Sequence, residues 1–113
     1  MKKIEAIIRP EKLGEVRKQL DKSGYPGIMI TEIEGHGKQK GLEQQWRGEK
    51  YKLEFLPKVK LEIIAKDSDA DRIVSAIMET ARTGAVGDGK IFISDIEDAV
   101  RIRTGDRGEK AVE

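Results

Sequence analysis

Chemical potential in this chain is concentrated in Gly84-Ala85-Val86-Gly87-Asp88-Gly89-Lys90. The string has the glycine and lysine spacing of a phosphate-binding P-loop. Such glycines let backbone N–H groups converge on an anion, and a lysine adds charge. Ile91 stands where Ser or Thr would supply a magnesium-binding hydroxyl. The loop also precedes a strand, so amides and Lys90 would hold phosphates without a helix N-terminus. A plain glycine-rich turn from helix to strand would read the same way. Downstream, Arg101 and Arg103 lie two apart. On an extended segment they would project from one face. Paired guanidiniums suit the oxygens of phosphates or carboxylates, though a solvated edge strand would carry the same pair. Three cationic groups near a glycine loop point to an anion site, with a nucleotide as candidate.

A second cluster starts at Gly35-His36-Gly37-Lys38-Gln39-Lys40-Gly41, which can bring amides and cations to an anion. His36 is the only histidine, and the chain has no Cys, so it reads as a surface residue at a strand end. Trp46-Arg47-Gly48 resembles an exposed anchor, because aromatics and guanidiniums are enriched at binding hot spots. Trp46 folding back on the domain is the alternative. Tyr51 reads as an amphipathic loop residue. No nucleophile–base pair or carboxylate pair is arranged for hydrolysis. A ferredoxin-like phosphate-handling hydrolase is therefore the weaker alternative, and Ile91 argues against it.

Hydrophobic spacing indicates what positions these groups. Lys3 to Arg9 is β-branched and half-alternating, a strand. Pro10 suits a first helical position, and Leu13, Val16 and Leu20 mark one helical face. Gly24 and Pro26 end that helix. Ile28 to Gly35 and Val59 to Lys66 read as strands two and three. Asp67-Ser68-Asp69 opens a second helix with capping chemistry, whose stripe is Ile73, Val74, Ile77, Met78 and Ala81. Lys90 to Ile96 is a fourth strand, and Ala99 to Arg103 a last extended piece before a polar, mobile tail.

Lys3–Arg9 echoes Lys60–Lys66, each strand followed by a helix. Tandem units of this kind give an α+β, ferredoxin-like β-α-β-β-α-β antiparallel sheet with both helices on one face. Ile4, Ala6, Ile8, Leu61, Ile63 and Ala65 would face the helices. Glu5, Ile7, Arg9, Glu62 and Ile64 would form an uncovered face, suited to a partner subunit, though an ordinary solvated face would read much the same. Between strands two and three runs a long exposed polar loop, Gly37 to Phe55, longer than a compact domain ordinarily carries without a functional reason.

At 113 residues the chain reads as one domain. Its 22 Lys and Arg against 21 Asp and Glu exclude a generally basic nucleic-acid coat. Aromatics make up only 4%, so stacking platforms for RNA are scarce. The absence of Cys excludes disulfides and thiolate metal sites. No apolar run reaches membrane-spanning length, so direct membrane insertion is not expected. The expected location is cytoplasmic.

Over essentially its whole length the chain resembles the PII nitrogen-regulatory signal-transduction proteins (the GlnB/GlnK family). The resemblance rests on Thr83-Gly84-Ala85-Val86-Gly87-Asp88-Gly89-Lys90-Ile91-Phe92-Ile93 and Arg101-Ile102-Arg103-Thr104-Gly105. Lys2-Lys3-Ile4 with Ala6-Ile7-Ile8, the Gly35 to Gly41 run, and Phe55-Leu56-Pro57-Lys58-Val59-Lys60 support it. It implies a single domain over 1–113, with a T-loop at 37–55, a B-loop at 83–90 and a C-terminal tail at 104–113.

The resemblance also implies a cytoplasmic homotrimer, not an enzyme, with ATP or ADP in clefts between subunits. Gly87, Asp88, Gly89, Lys90, Arg101 and Arg103, with Ile102 between the arginines, would hold the phosphates. Met29, Gly37 and Ile64 would line the adenosine side, with Lys38 and Gln39 nearby. The effector 2-oxoglutarate would meet Gln39, Lys40, Gly41, Lys58 and Gly87, with Gln39 completing the coordination of Mg2+ held by ATP. Implied partners are an ammonium transporter, to which the protein would be recruited at the membrane, glutamine synthetase or other nitrogen-metabolism proteins. Tyr51 occupies the family's modification position. Its context is altered to Trp46-Arg47-Gly48-Glu49-Lys50-Tyr51, which shifts the main action of the tip to Arg47, with Trp46 beside it as a partner contact.

Overall fold

The computed structural model describes residues 1–25, 27–46 and 49–113, with the side chains of 34–56 outside that description. Strand β1 (Lys2–Ile8) leads through a short 3-10 turn at Pro10–Lys12 into α1 (Leu13–Lys22). Strands β2 (Met29–Trp46) and β3 (Glu49–Ala65) precede α2 (Asp67–Ala81), β4 (Lys90–Asp95) and a one-turn α3 (Glu109–Val112). The sheet order is β2-β3-β1-β4, with antiparallel neighbours throughout. This is the ferredoxin-like arrangement expected from the sequence.

Register explains why alternation translated into a core. Ile4, Ala6 and Ile8 lie opposite Ile63, Leu61 and Val59, and all six are buried. Val16 and Leu20 of α1 pack on that face, joined by Ala70, Ile73 and Ile77 of α2. Full burial of an Ile or Leu side chain contributes about 1.5–3 kcal/mol. The opposite face carries Lys3, Glu5, Ile7, Lys60, Glu62 and Ile64, all partly exposed. Lys3 bridges Glu5 at 2.7 Å and Glu62 at 3.2 Å, and Lys60 reaches Glu62 at 3.4 Å. Those ammonium groups, Lys3 first, lower the pKa of Glu62. Arg9, expected on this face, lies just past β1 and engages the 83–90 loop.

Three sequence expectations are corrected. Residues 37–55 are not a structureless excursion, because β2 and β3 pair along a ribbon that closes at Trp46 opposite Glu49. Backbone pairing needs no apolar alternation, so polar side chains gave no sign of it. The ribbon lengthens the molecule to 58 Å, with a radius of gyration of 17.4 Å; a compact chain of this size has about 13 Å. The first residue of α2 is Asp67, and its N-cap is Lys66, which makes no side-chain cap. Asp67 takes the Met1 amino group at 2.9 Å, and Asp69 accepts from the Tyr25 hydroxyl. Lastly, Ala99 to Arg103 is not extended throughout. Val100 bridges to Arg107, and residues 102–104 form a turn closed by the Gly105 N–H donating to the Arg101 carbonyl at 2.8 Å. Gly105 has φ +74°, a left-handed conformation that glycine adopts without a Cβ penalty.

Candidate functional site

The glycine loop between α2 and β4 is organised from inside by Asp88. Its carboxylate accepts the backbone N–H groups of Thr83 and Gly84, each at 2.8 Å, and the Thr83 hydroxyl. Arg9 Nε adds a charge-assisted bond at 3.2 Å. These donors, with the Thr83 hydroxyl first, hold the Asp88 carboxyl far below the usual carboxylate range. Asp88 therefore shapes the loop with its side chain, and only its backbone N–H remains for a phosphate. A phosphate role for Asp88, as the resemblance implied, would therefore run through its backbone.

Two cations pin the loop's carbonyl groups. Arg9, just past β1, donates Nη2 to the Val86 carbonyl at 2.8 Å, and Lys58 of β3 donates Nζ to the Gly87 carbonyl at 2.6 Å. With those carbonyls held from below, the turn keeps a fixed curvature at its exposed rim. Gly89 then runs hard against β1, where a Cβ would sit 1.7 Å from the Ile7 carbonyl oxygen at a backbone φ of +103°. Only glycine fits there. Lys90, the first residue of β4, lies opposite Ile7 with an exposed side chain. Lys90, Arg82 and Arg103 are exposed and form no ion pair among the described residues.

The other candidate residues fall into three groups. Lys58 and Gly87 are brought together by the hydrogen bond between them. Met29 and Ile64 share the open face, since Met29 opposes Glu62 two residues from Ile64. Arg101 and Arg103 diverge. The Arg101 guanidinium is engaged by Asp106 at 3.3 Å and by the carbonyls of Lys110 and Glu113 at 2.8 and 3.0 Å, whereas Arg103 is exposed in the turn. Ile102 between them is fully exposed. No hydrogen bond or ion pair among the described residues links either arginine to residues 84–90.

Gly37, Lys38, Gln39, Lys40 and Gly41 lie along β2 in the ribbon, with Gln39 opposite Lys52 and Lys58 opposite Ile33. Six residues of strand separate those two positions, about 20 Å. Lys40 and Gln44 both register on Tyr51 across a bulge, Trp46 closes the ribbon, and Arg47 lies outside the described residues. Reasoning on the sequence missed Arg9 and the Thr83 hydroxyl as loop organisers. An arginine at the end of the strand that borders the loop was the available signal for Arg9.

A family model for "Nitrogen regulatory protein P-II" matches residues 1–106. The chain belongs to the PII family. A PII relative from Pasteurella multocida is 53% identical over 99% of this chain and all of its own length. "Nitrogen regulatory protein P-II 2" of Methanothermobacter thermautotrophicus is 51% identical, covering 99% of this chain and 97% of that one. Among solved structures, Arabidopsis thaliana PII bound to citrate superposes with a TM-score of 0.80 at 37% identity, over 99% of this chain and 89% of its own. PII proteins regulate nitrogen metabolism as signal transducers rather than enzymes. Among the described residues, no helix of this PII chain is long and apolar enough to cross a membrane.

Proposed function

We propose that this PII protein senses ATP or ADP together with 2-oxoglutarate, and reports the result through the β2–β3 ribbon to nitrogen-metabolism targets such as an ammonium transporter or glutamine synthetase. The observation that carries the reading is the pinned 83–90 loop: the Val86 and Gly87 carbonyl groups are held by Arg9 and Lys58, while Lys90 is exposed at its rim. The Thr83, Gly84 and Ala85 N–H groups are used within the loop, so its later N–H groups, with Lys90, are the ones suited to phosphates. The citrate bound to the Arabidopsis relative is a polycarboxylate, a charge class shared with 2-oxoglutarate.

The scatter of the remaining candidates supports a site completed between subunits. Within one chain, Arg101 and Arg103 do not meet the loop, and Gln39 stands along the ribbon, away from Lys58. A cytoplasmic homotrimer that places one subunit's arginines against another's loop would resolve this. Its contact surface would be the open sheet face, with Ile7, Ile64 and the exposed Phe92.

Magnesium fits the donor set only as a companion of ATP. Among the described residues no three acidic or histidine side chains gather into a metal site. Mg2+ needs few protein ligands when phosphates supply the rest, and the Gln39 amide oxygen would be such a ligand. When bound, the ion would offset phosphate charge beside the effector. Titration calorimetry with ATP and ADP tests the nucleotide part. Saturable binding of both is expected, and no heat with either would sink the reading.

A further inference from the structure

We propose that residues 110–113 form an autoinhibitory strap, which a nucleotide must displace before it can use Arg101 and the cleft beside Ile64. The inference rests on the reading that these two residues belong to the nucleotide site.

Arg101 offers a guanidinium whose Nη2 donates to both the Lys110 and Glu113 carbonyls, while Nη1 faces Asp106. A phosphate would recruit the same N–H groups, so strap and phosphate compete for one set of donors. The strap is also seated at its far end. Glu113 Oε1 lies 3.4 Å from Lys66 Nζ, and Val112 and Glu113 line a cleft of about 500 Å³ together with Tyr25, Ile64, Asp69 and Arg72. Ala111 and Val112 are half-buried, so the strap's small apolar side chains are turned inward. Two features proposed for nucleotide binding, a guanidinium and an apolar wall, thus meet the same four residues.

The strap is weakly held, by exposed polar contacts and one ion pair of the kind that contributes little. Apparent affinity falls in proportion to the fraction of chains in which the site is open. A chain ending at Gly108 is therefore expected to bind ATP about three- to tenfold tighter than the full chain. Full-length Lys66→Ala, which loses the ion pair but keeps the strap, should shift in the same direction by less. Hydrogen–deuterium exchange on the full chain should show ATP raising uptake across 109–113. Equal or weaker ATP binding by the shortened chain, or lower uptake in the strap on adding ATP, would overturn the strap alone. Absence of ATP binding by every chain would overturn the nucleotide reading and the strap with it.

Discussion

Asp88 and Gly89 decide the shape of the anion loop, each for a separate physical reason. Gly89→Ala would drive a methyl into the Ile7 carbonyl from a left-handed backbone. Relief requires moving β4 off β1, and strain plus overpacking of this kind costs on the order of 3 kcal/mol or more. Thermal melts should show a fall of roughly 10–20 °C; a change within about 2 °C would contradict the packing described. Asp88 acts through charge. Its folded pKa is lowered, so its contribution is present above the unfolded value of about 4 and is lost as pH falls below it. Asp88→Asn should therefore flatten the acid side of the stability profile while leaving its slope between pH 6 and 8 unchanged. The same variant should weaken ATP about tenfold in calorimetry, because one of the two oxygens that accept from Thr83, Gly84 and Arg9 becomes an NH2 group, which faces donors and carries no charge. Unchanged affinity would mean that the loop holds its form without the carboxylate.

At the scale of elements, periodicity carried most of the fold. Ile4, Ala6, Ile8, Leu61, Ile63 and Ala65 could be placed against the helices because a strand buries every second residue. Val16, Leu20, Ile73 and Ile77 followed from helical spacing. The ribbon escaped notice because its pairing is made by backbone groups, on which side-chain pattern is silent. The turn at 102–104 escaped for another reason: a local decision by Gly105 and by the Asp106–Thr104 contact overrode an extended-looking pair of arginines. Asp88 was legible as part of the glycine loop, but its inward role depends on Thr83 and Arg9, the latter 79 positions away. The ribbon, the proposed reporter element, is built onto a core drawn, among the described residues, from outside it. Arg47→Ala should accordingly abolish pull-down of a cognate ammonium transporter while leaving ATP affinity within about twofold. Parallel loss of both would indicate a misfolded chain instead.

For the molecule as a whole, the proposed signal depends on distance. The register leaves Gln39 and Lys58 some six strand residues apart, so a ligand that needs both must bend the base of the ribbon back toward the 83–90 loop. Binding energy spent on that rearrangement biases the ribbon's conformation, and by linkage any target that prefers one ribbon form changes the ligand's affinity in return. The dicarboxylate and the triphosphate repel each other unless a cation stands between them. Mg2+ with ATP is thus expected to be a precondition for the effector rather than a competitor. The most direct measurement is titration calorimetry of 2-oxoglutarate against the full chain, with and without MgATP. Saturable binding only when MgATP is present is the predicted result; the same 2-oxoglutarate affinity after its removal would contradict the account.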